Sequence, residues 1–138
     1  MPRDDYAGAV FAILQDVYDK SPWSLEQIAT DLEQDHTDYF FVQDGSGQIV
    51  GFLAIQNLVG ELEITNIAVL KSHQGQGYAG KLMQFLAERS ESIFLEVRAS
   101  NKAAQALYQK YGFTTIGRRK NYYHEPTEDA LIMQRQKE

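Results

Sequence analysis

The chain has 138 residues, 43% hydrophobic and 23% charged, with a formal net charge of −6. That length carries one hydrophobic core, so one domain over residues 1–138 is expected, and the composition excludes a disordered chain. The absence of cysteine excludes disulfides and thiolate chemistry, and the acidic balance argues against nucleic acid as a direct partner while suiting a cationic one.

Residues 4–19 place Val10, Ile13, Leu14 and Val17 at helical spacing, which predicts a first helix. After Pro22, Ser24-Leu25-Glu26-Gln27 reads as a capping box that opens a second helix to about residue 35. Tyr39-Phe40-Phe41-Val42 predicts a strand and Asp44-Gly45-Ser46-Gly47 a hairpin turn; residues 49–56 and 61–70 continue the sheet, broken by 57–60. A helix is expected over about 77–89, with Leu82, Phe85, Leu86 and Arg89 as its stripe, followed by a short buried strand over 92–98. That strand alternates Ile93, Leu95 and Val97 against Phe94, Glu96 and Arg98. From Asn101 another helix turns Ala104, Leu107, Tyr108 and Tyr111 to one side and stops at Gly112. Strands near 113–122 and 129–135 finish the chain. The resulting order, α-α-β-β-β-α-β-α-β-β, implies an α/β (α+β) fold with a mixed sheet and helices on both faces. No apolar run reaches the roughly 18 residues of a membrane span. The opening Met1-Pro2-Arg3-Asp4-Asp5 lacks a secretory pattern, so a cytoplasmic address is expected.

The strand ending at Leu70, the polar loop with Gly75 and Gly77, and the helix after it bring unpaired N–H groups and a helix N-terminus to one point, a site for phosphate. Three ligands compete for it. Gly75-x-Gly77-x-x-Gly80, with Glu96 downstream, matches the dinucleotide fingerprint of an oxidoreductase. Against that, Lys71-Ser72-His73-Gln74 separate the strand from the first glycine, and the chain is short for a doubly wound domain plus a catalytic one. Gly75-x-x-x-x-Gly80-Lys81 matches a P-loop, but Leu82 stands where a hydroxyl would hold Mg²⁺.

The third reading joins more of the chain. Gln74-x-x-Gly77-x-Ala79, reached from Ile67-Ala68-Val69, resembles the acetyl-CoA diphosphate loop of the GNAT N-acetyltransferase superfamily. Leu95-Glu96-Val97-Arg98-Ala99-Ser100-Asn101, Ala106-Leu107-Tyr108 and Gly112-Phe113 resemble the second half of its core. Within it, those residues, Pro22-Trp23-Ser24, Arg118 to Tyr123 and Glu128 to Met133 resemble the RimI type, whose members acetylate the N-terminal alanine of a small-subunit ribosomal protein. The resemblance implies a GNAT fold, acetyl-CoA as co-substrate without a metal, direct attack in a ternary complex, and a basic protein N-terminus as partner. A monomer or a homodimer is compatible with it.

The same resemblance implies the site. Ile67, Ala68 and Val69 bind the cofactor, with a backbone N–H among them polarising the thioester carbonyl. Their strand is expected to splay from the one over 92–98 and make a cleft for the pantetheine. Gln74, Gly75, Gln76, Gly77, Tyr78, Ala79 and Gly80 form the diphosphate loop. Asn101 contacts the pantetheine, Glu96 receives the amine proton through water, and Tyr108 protonates the departing sulfur. Glu63 is a rival base, and Trp23, Glu63 and Tyr122 shape the acceptor cleft. An α-amine with a pKa of ~8 asks less of such a base than a lysine at ~10.4, and a phenol at ~10 can serve a thiolate at ~8.5. On pattern alone, Glu96 reads as an ion-paired surface residue, Tyr108 as packing, Asn101 as a helix cap and Trp23 as core. His36, His73 and His124 have no ligand spacing or carboxylate partner in sequence and read as surface residues. Acetylation of lysine or of a small-molecule amine, and a non-catalytic CoA sensor, remain alternatives.

Two departures from the family stand out. The helix pattern begins at about Asp4, so the first strand is expected to be short or missing, leaving a sheet edge that a second subunit could cover. Gly75 replaces a basic residue common in the loop; Lys71, His73 and Lys81 offer partial compensation, and a weaker CoA affinity is expected.

Overall fold

The computed structural model describes residues 3–18 and 21–136. Helices α1 (Arg3–Val17) and α2 (Leu25–Leu32) precede strands β1 (Thr37–Gln43), β2 (Ile49–Leu58) and β3 (Glu61–Val69). A 3₁₀ turn (Lys71–His73) leads to α3 (Tyr78–Gln84), β4 (Ser92–Arg98), α4 (Lys102–Lys110), β5 (Thr114–Tyr123) and β6 (Glu128–Arg135). The 6-stranded sheet runs β1-β2-β3-β4-β6-β5. Every neighbouring pair is antiparallel except β3 and β4, which are joined by the α3 crossover. This is the mixed α/β sheet expected from the element order.

Apolar residues of both sheet faces are covered by helices. On one face Val10, Ile13 and Leu14 of α1 and Ile28 of α2 bury against Phe52, Ala54 and Ala68. On the other, Leu82, Met83 and Leu86 in and after α3, with Tyr108 and Phe113, bury against Leu53, Ile55, Ile64, Leu95 and Val97. The capping box forms as expected: Gln27 N–H donates to Ser24 Oγ at 3.1 Å, and Ser24 N–H to Gln27 Oε1 at 2.8 Å.

Some boundaries differ. Helix α1 ends at Val17, and residue 19 of the expected helix lies outside the described residues. The second helix stops at Leu32, short of residue 35. The expected break at 57–60 shrinks to a tight turn, because Asn57 and Leu58 still pair with Leu62 and Glu61, and Gly60 turns the chain at φ +79°. Helix α3 ends at Gln84, after which i→i+3 bonds such as Leu86 N–H to Met83 O take over. The change of pitch turns Phe85 out of the stripe; it is 46% exposed and stacks on Phe40 of β1 at 4.9 Å. Arg135 closes that turn by donating to Leu86 O and Arg89 O. Among the described residues no strand precedes α1; Met1 and Pro2, on which that expectation also falls, lie outside them.

Candidate active site

The site begins where β3 and β4 part. They pair at Glu61–Ser92, Leu62–Ile93 and Glu63–Phe94 and no further. Just beyond, the β2–β3 register slips between Ala54 and Ile55, and Thr65 Oγ1 donates to Ala54 O at 3.2 Å. A bulge of this kind bends and twists its strand, here away from β4. Leu70 N–H donates to Val50 O at 2.9 Å, so antiparallel alternation turns the N–H groups of Ile67 and Val69 to the opposite edge, into the gap. Ala68 between them pairs with Phe52, spends its N–H on the ladder and buries its methyl on the α1 face.

At the mouth of the gap lies the glycine loop. Gly75 (φ +78°) and Gly77 (φ +89°) hold left-handed backbone, and Gly77 is the N-cap of α3. Among the described residues the N–H groups of residues 75–80 find no acceptor; the first helical bond is Lys81 N–H to Gly77 O. Gln74 lines the cavity at the loop, and its Nε2 donates to Val69 O at 3.0 Å and ties the loop back to β3. Gly80 is also structural. A Cβ there would lie 2.8 Å from Tyr111 Oη, which donates to Gly80 O. The loop, Leu107 and Lys110 enclose a cavity of about 270 Å³. Uncommitted N–H donors, glycines that let a diphosphate approach, and Lys110 fit the phosphate end of acetyl-CoA. Lys110 was missed in sequence, where it reads as one more basic residue in a helix's last turn. Lys81 instead lies over the Tyr78 ring at 5.1 Å.

His73 corrects another expectation. It is not an unpartnered surface residue: Nε2 lies 3.1 Å from Asp44 Oδ2, and Nδ1 is 2.8 Å from Ser72 Oγ. Asp44 also accepts from Ser46 and Gln48, and these bonds push its carboxyl down to about 2.

The far end of the gap carries the titratable groups. Glu63 and Glu96 occupy the sheet face shared by α1 and α2. Burial and the charge of Glu96 push Glu63 above the usual carboxylate range, while Arg119 opposes the rise. Tyr123 is driven up to about 12 by burial and then by Glu96. Tyr108, on α4, is buried and packs on Phe113 at 5.9 Å. Its phenol is raised by burial and, less, by Tyr18 and Tyr123. Tyr18 and Tyr123 were not singled out in sequence. Tyr122, which was, is 45% exposed and packs edge-on to Tyr123 at 5.1 Å. Trp23 packs at the rim of the α1–α2 core, its carbonyl accepting from Ser21 Oγ at 2.6 Å. Asn101 caps α4 by accepting from Ala104 N–H at 3.1 Å, and among the described residues its amide nitrogen stays uncommitted. Among the described residues there is no cluster of His, Cys, Asp and Glu able to hold a metal, and no helix is long and apolar enough to cross a membrane.

The profile of the Acetyltransferase (GNAT) family matches residues 8–113. The ribosomal protein bS18-alanine N-acetyltransferase of Escherichia coli is 36% identical over 121 residues, covering 81% of this chain and 79% of that protein. The N-alpha-acetyltransferase RimI of Mycobacterium tuberculosis is 34% identical over 120 residues, covering 83% of this chain and 75% of its own length. The crystal structure of the Escherichia coli ribosomal-protein-alanine N-acetyltransferase superposes with a TM-score of 0.81 at 34% identity, covering 93% of this chain and 85% of that one.

Proposed function

This chain belongs to the GNAT acetyltransferase family, and on that footing we propose that residues 1–138 form one N-acetyltransferase domain acting on a protein α-amine. The acceptor is the N-terminal alanine of a small-subunit ribosomal protein, and acetyl-CoA is the donor. The observation that carries this reading is the gap that opens where β3 and β4 part after Glu63–Phe94, with the unbonded N–H groups of the glycine loop at its mouth. Similarity over most of the chain to enzymes named for that acceptor supports the choice of substrate.

Acetyl-CoA supplies an acetyl group activated as a thioester. The N–H groups of residues 75–80 and Lys110 would hold its diphosphate, and Asn101 its pantetheine arm. The N–H groups of Ile67 and Val69 are placed to polarise the thioester carbonyl. Glu96 takes a proton from the acceptor amine, directly or through water. The demand on this base is modest because an α-amine at a pKa of ~8 is partly neutral already. Tyr108, raised by burial, stays protonated over the working range and donates its O–H toward sulfur. Burial raises a thiol's proton affinity as well, so the match between phenol and leaving group survives. Glu63 adds a second negative charge that draws the cationic terminus in.

The test is mass-spectrometric acetylation of basic peptides beginning with alanine, beginning with serine, or N-terminally blocked with one internal lysine. Modification of the free alanine terminus is expected. Modification of the blocked lysine peptide alone would overturn the acceptor assignment.

A further inference from the structure

Three charged side chains from three strands meet on the sheet face opposite α3 and α4. Glu63 comes from β3 and Glu96 from β4. Arg119 comes from β5, on the far side of β6. The β6 residue that pairs with Arg119 is Ala130, whose methyl leaves the guanidinium a path across the strand. Arg119 Nε ends 3.0 Å from Glu96 Oε2. Yet the carboxylate is not satisfied: Oε2 is buried, and among the described residues it accepts no hydrogen bond, because the Nε–H points off the contact line. The Arg119 side chain is 57% exposed and that of Glu96 only 18%. An exposed guanidinium held by an ion pair without a hydrogen bond, and by the Tyr122 ring at 5.6 Å, is weakly bound, whereas a buried carboxylate oxygen without a donor is costly. The pair is poised to exchange its cation for a better donor.

Resting on the reading of Glu96 as proton acceptor, we propose that Arg119 is a resident counter-ion that holds the place of the acceptor's α-ammonium and is displaced by it. Between turnovers Arg119 offsets the charge of the carboxylates and lowers the proton affinity that burial and Glu96 give Glu63. An arriving ammonium brings three N–H donors on a compact head and supplies the hydrogen bond that Oε2 lacks. Arg119 then swings outward, and the Tyr122 ring, which already lies 5.6 Å from its guanidinium beside Glu96, keeps a cation–π hold on it as it leaves the carboxylate. The acetylated product is a neutral amide with no claim on the carboxylates, so Arg119 returns and helps expel it. The device selects for cationic acceptors and against product.

The test uses the full chain with an alanine-terminated basic peptide and its N-acetylated counterpart. Arg119→Gln is expected to lower the acceptor KM about three- to fivefold, the range of an exposed ion pair. Inhibition by the acetylated peptide strengthens by a similar factor, and the acetyl-CoA KM does not move. The acid limb of kcat/KM moves to higher pH. Around the pair stand Glu63 from β3, Arg98 on β4 itself, Arg119 and Tyr123 from β5 and Tyr18 after α1, while the β6 neighbour Ile132 is apolar; Arg119 is the cation that lowers Glu63, so its loss lets Glu63 rise. Arg119→Lys should return both readouts toward the parent. An acceptor KM that rises in Arg119→Gln, or one unchanged with an unmoved acid limb, overturns the proposal. Parent-level turnover in Glu96→Gln would overturn the underlying reading instead.

Discussion

Asp44, in the β1–β2 turn, holds His73 at the lip of the glycine loop: Oδ2 lies 3.1 Å from Nε2 across 29 residues of sequence. The opposite ring nitrogen meets Ser72, so the imidazole is fixed at both ends beside the cavity. Asp44→Asn should therefore raise the acetyl-CoA KM about two- to fivefold and leave the acceptor KM unchanged, as read by steady-state kinetics with each substrate varied.

The same carboxylate makes a pH prediction. Its folded value is depressed to about 2, so the stability it contributes is complete above the ordinary carboxylate value of ~3.9. That contribution is lost as pH falls toward 2. Glu128 and Asp129 are lowered too, by Ser100 with Arg98 and by Asn121 with Arg118, and act in the same direction. Thermal melts from pH 5 to pH 2.5 should show a falling Tm, with a shallower fall in Asp44→Asn.

Glu96→Gln should lower kcat/KM about 10²-fold near neutral pH, the usual scale for a general base. The deficit shrinks above the amine pKa of ~8, where the acceptor is already neutral. Glu63→Gln should cost less in kcat and act mainly on the acceptor KM. A pH–rate profile of both variants tests the ranking, and the reverse pattern would make Glu63 the base.

Tyr108→Phe keeps the packing on Phe113 and removes only the hydroxyl, so acetyl-CoA affinity by calorimetry should hold while kcat falls about 10- to 100-fold. Full activity in this variant would remove Tyr108 from the chemistry.

Gly77→Ala meets no atom within 4 Å, so its cost is the dihedral strain of φ +89°, about 1–2 kcal/mol, plus a methyl at the diphosphate loop. A lower Tm together with a weakened acetyl-CoA Kd is expected; an unchanged Kd would mean that the loop does not face the phosphates.

What the sequence alone determined is what arises within a few residues of chain. The Ser24 cap, the alternation of β4, the glycine loop and the Asn101 start of α4 rest on hydrogen-bonding groups and side-chain periods that neighbours in sequence supply. The family loop and the Leu95–Asn101 segment were legible for the same reason, since each is contiguous. Tertiary structure decided the rest. Placing β6 between β4 and β5 makes Arg119 cross a strand to reach Glu96 and sets Tyr123 near it, which no spacing reveals. Whether Phe85 faced core or solvent depended on where α3 gave way to tighter turns. The gap itself exists because β3 bulges after Glu63 and leaves β4. Divergence of two strands is a property of their twist against each other, and neither strand's residues encode it separately.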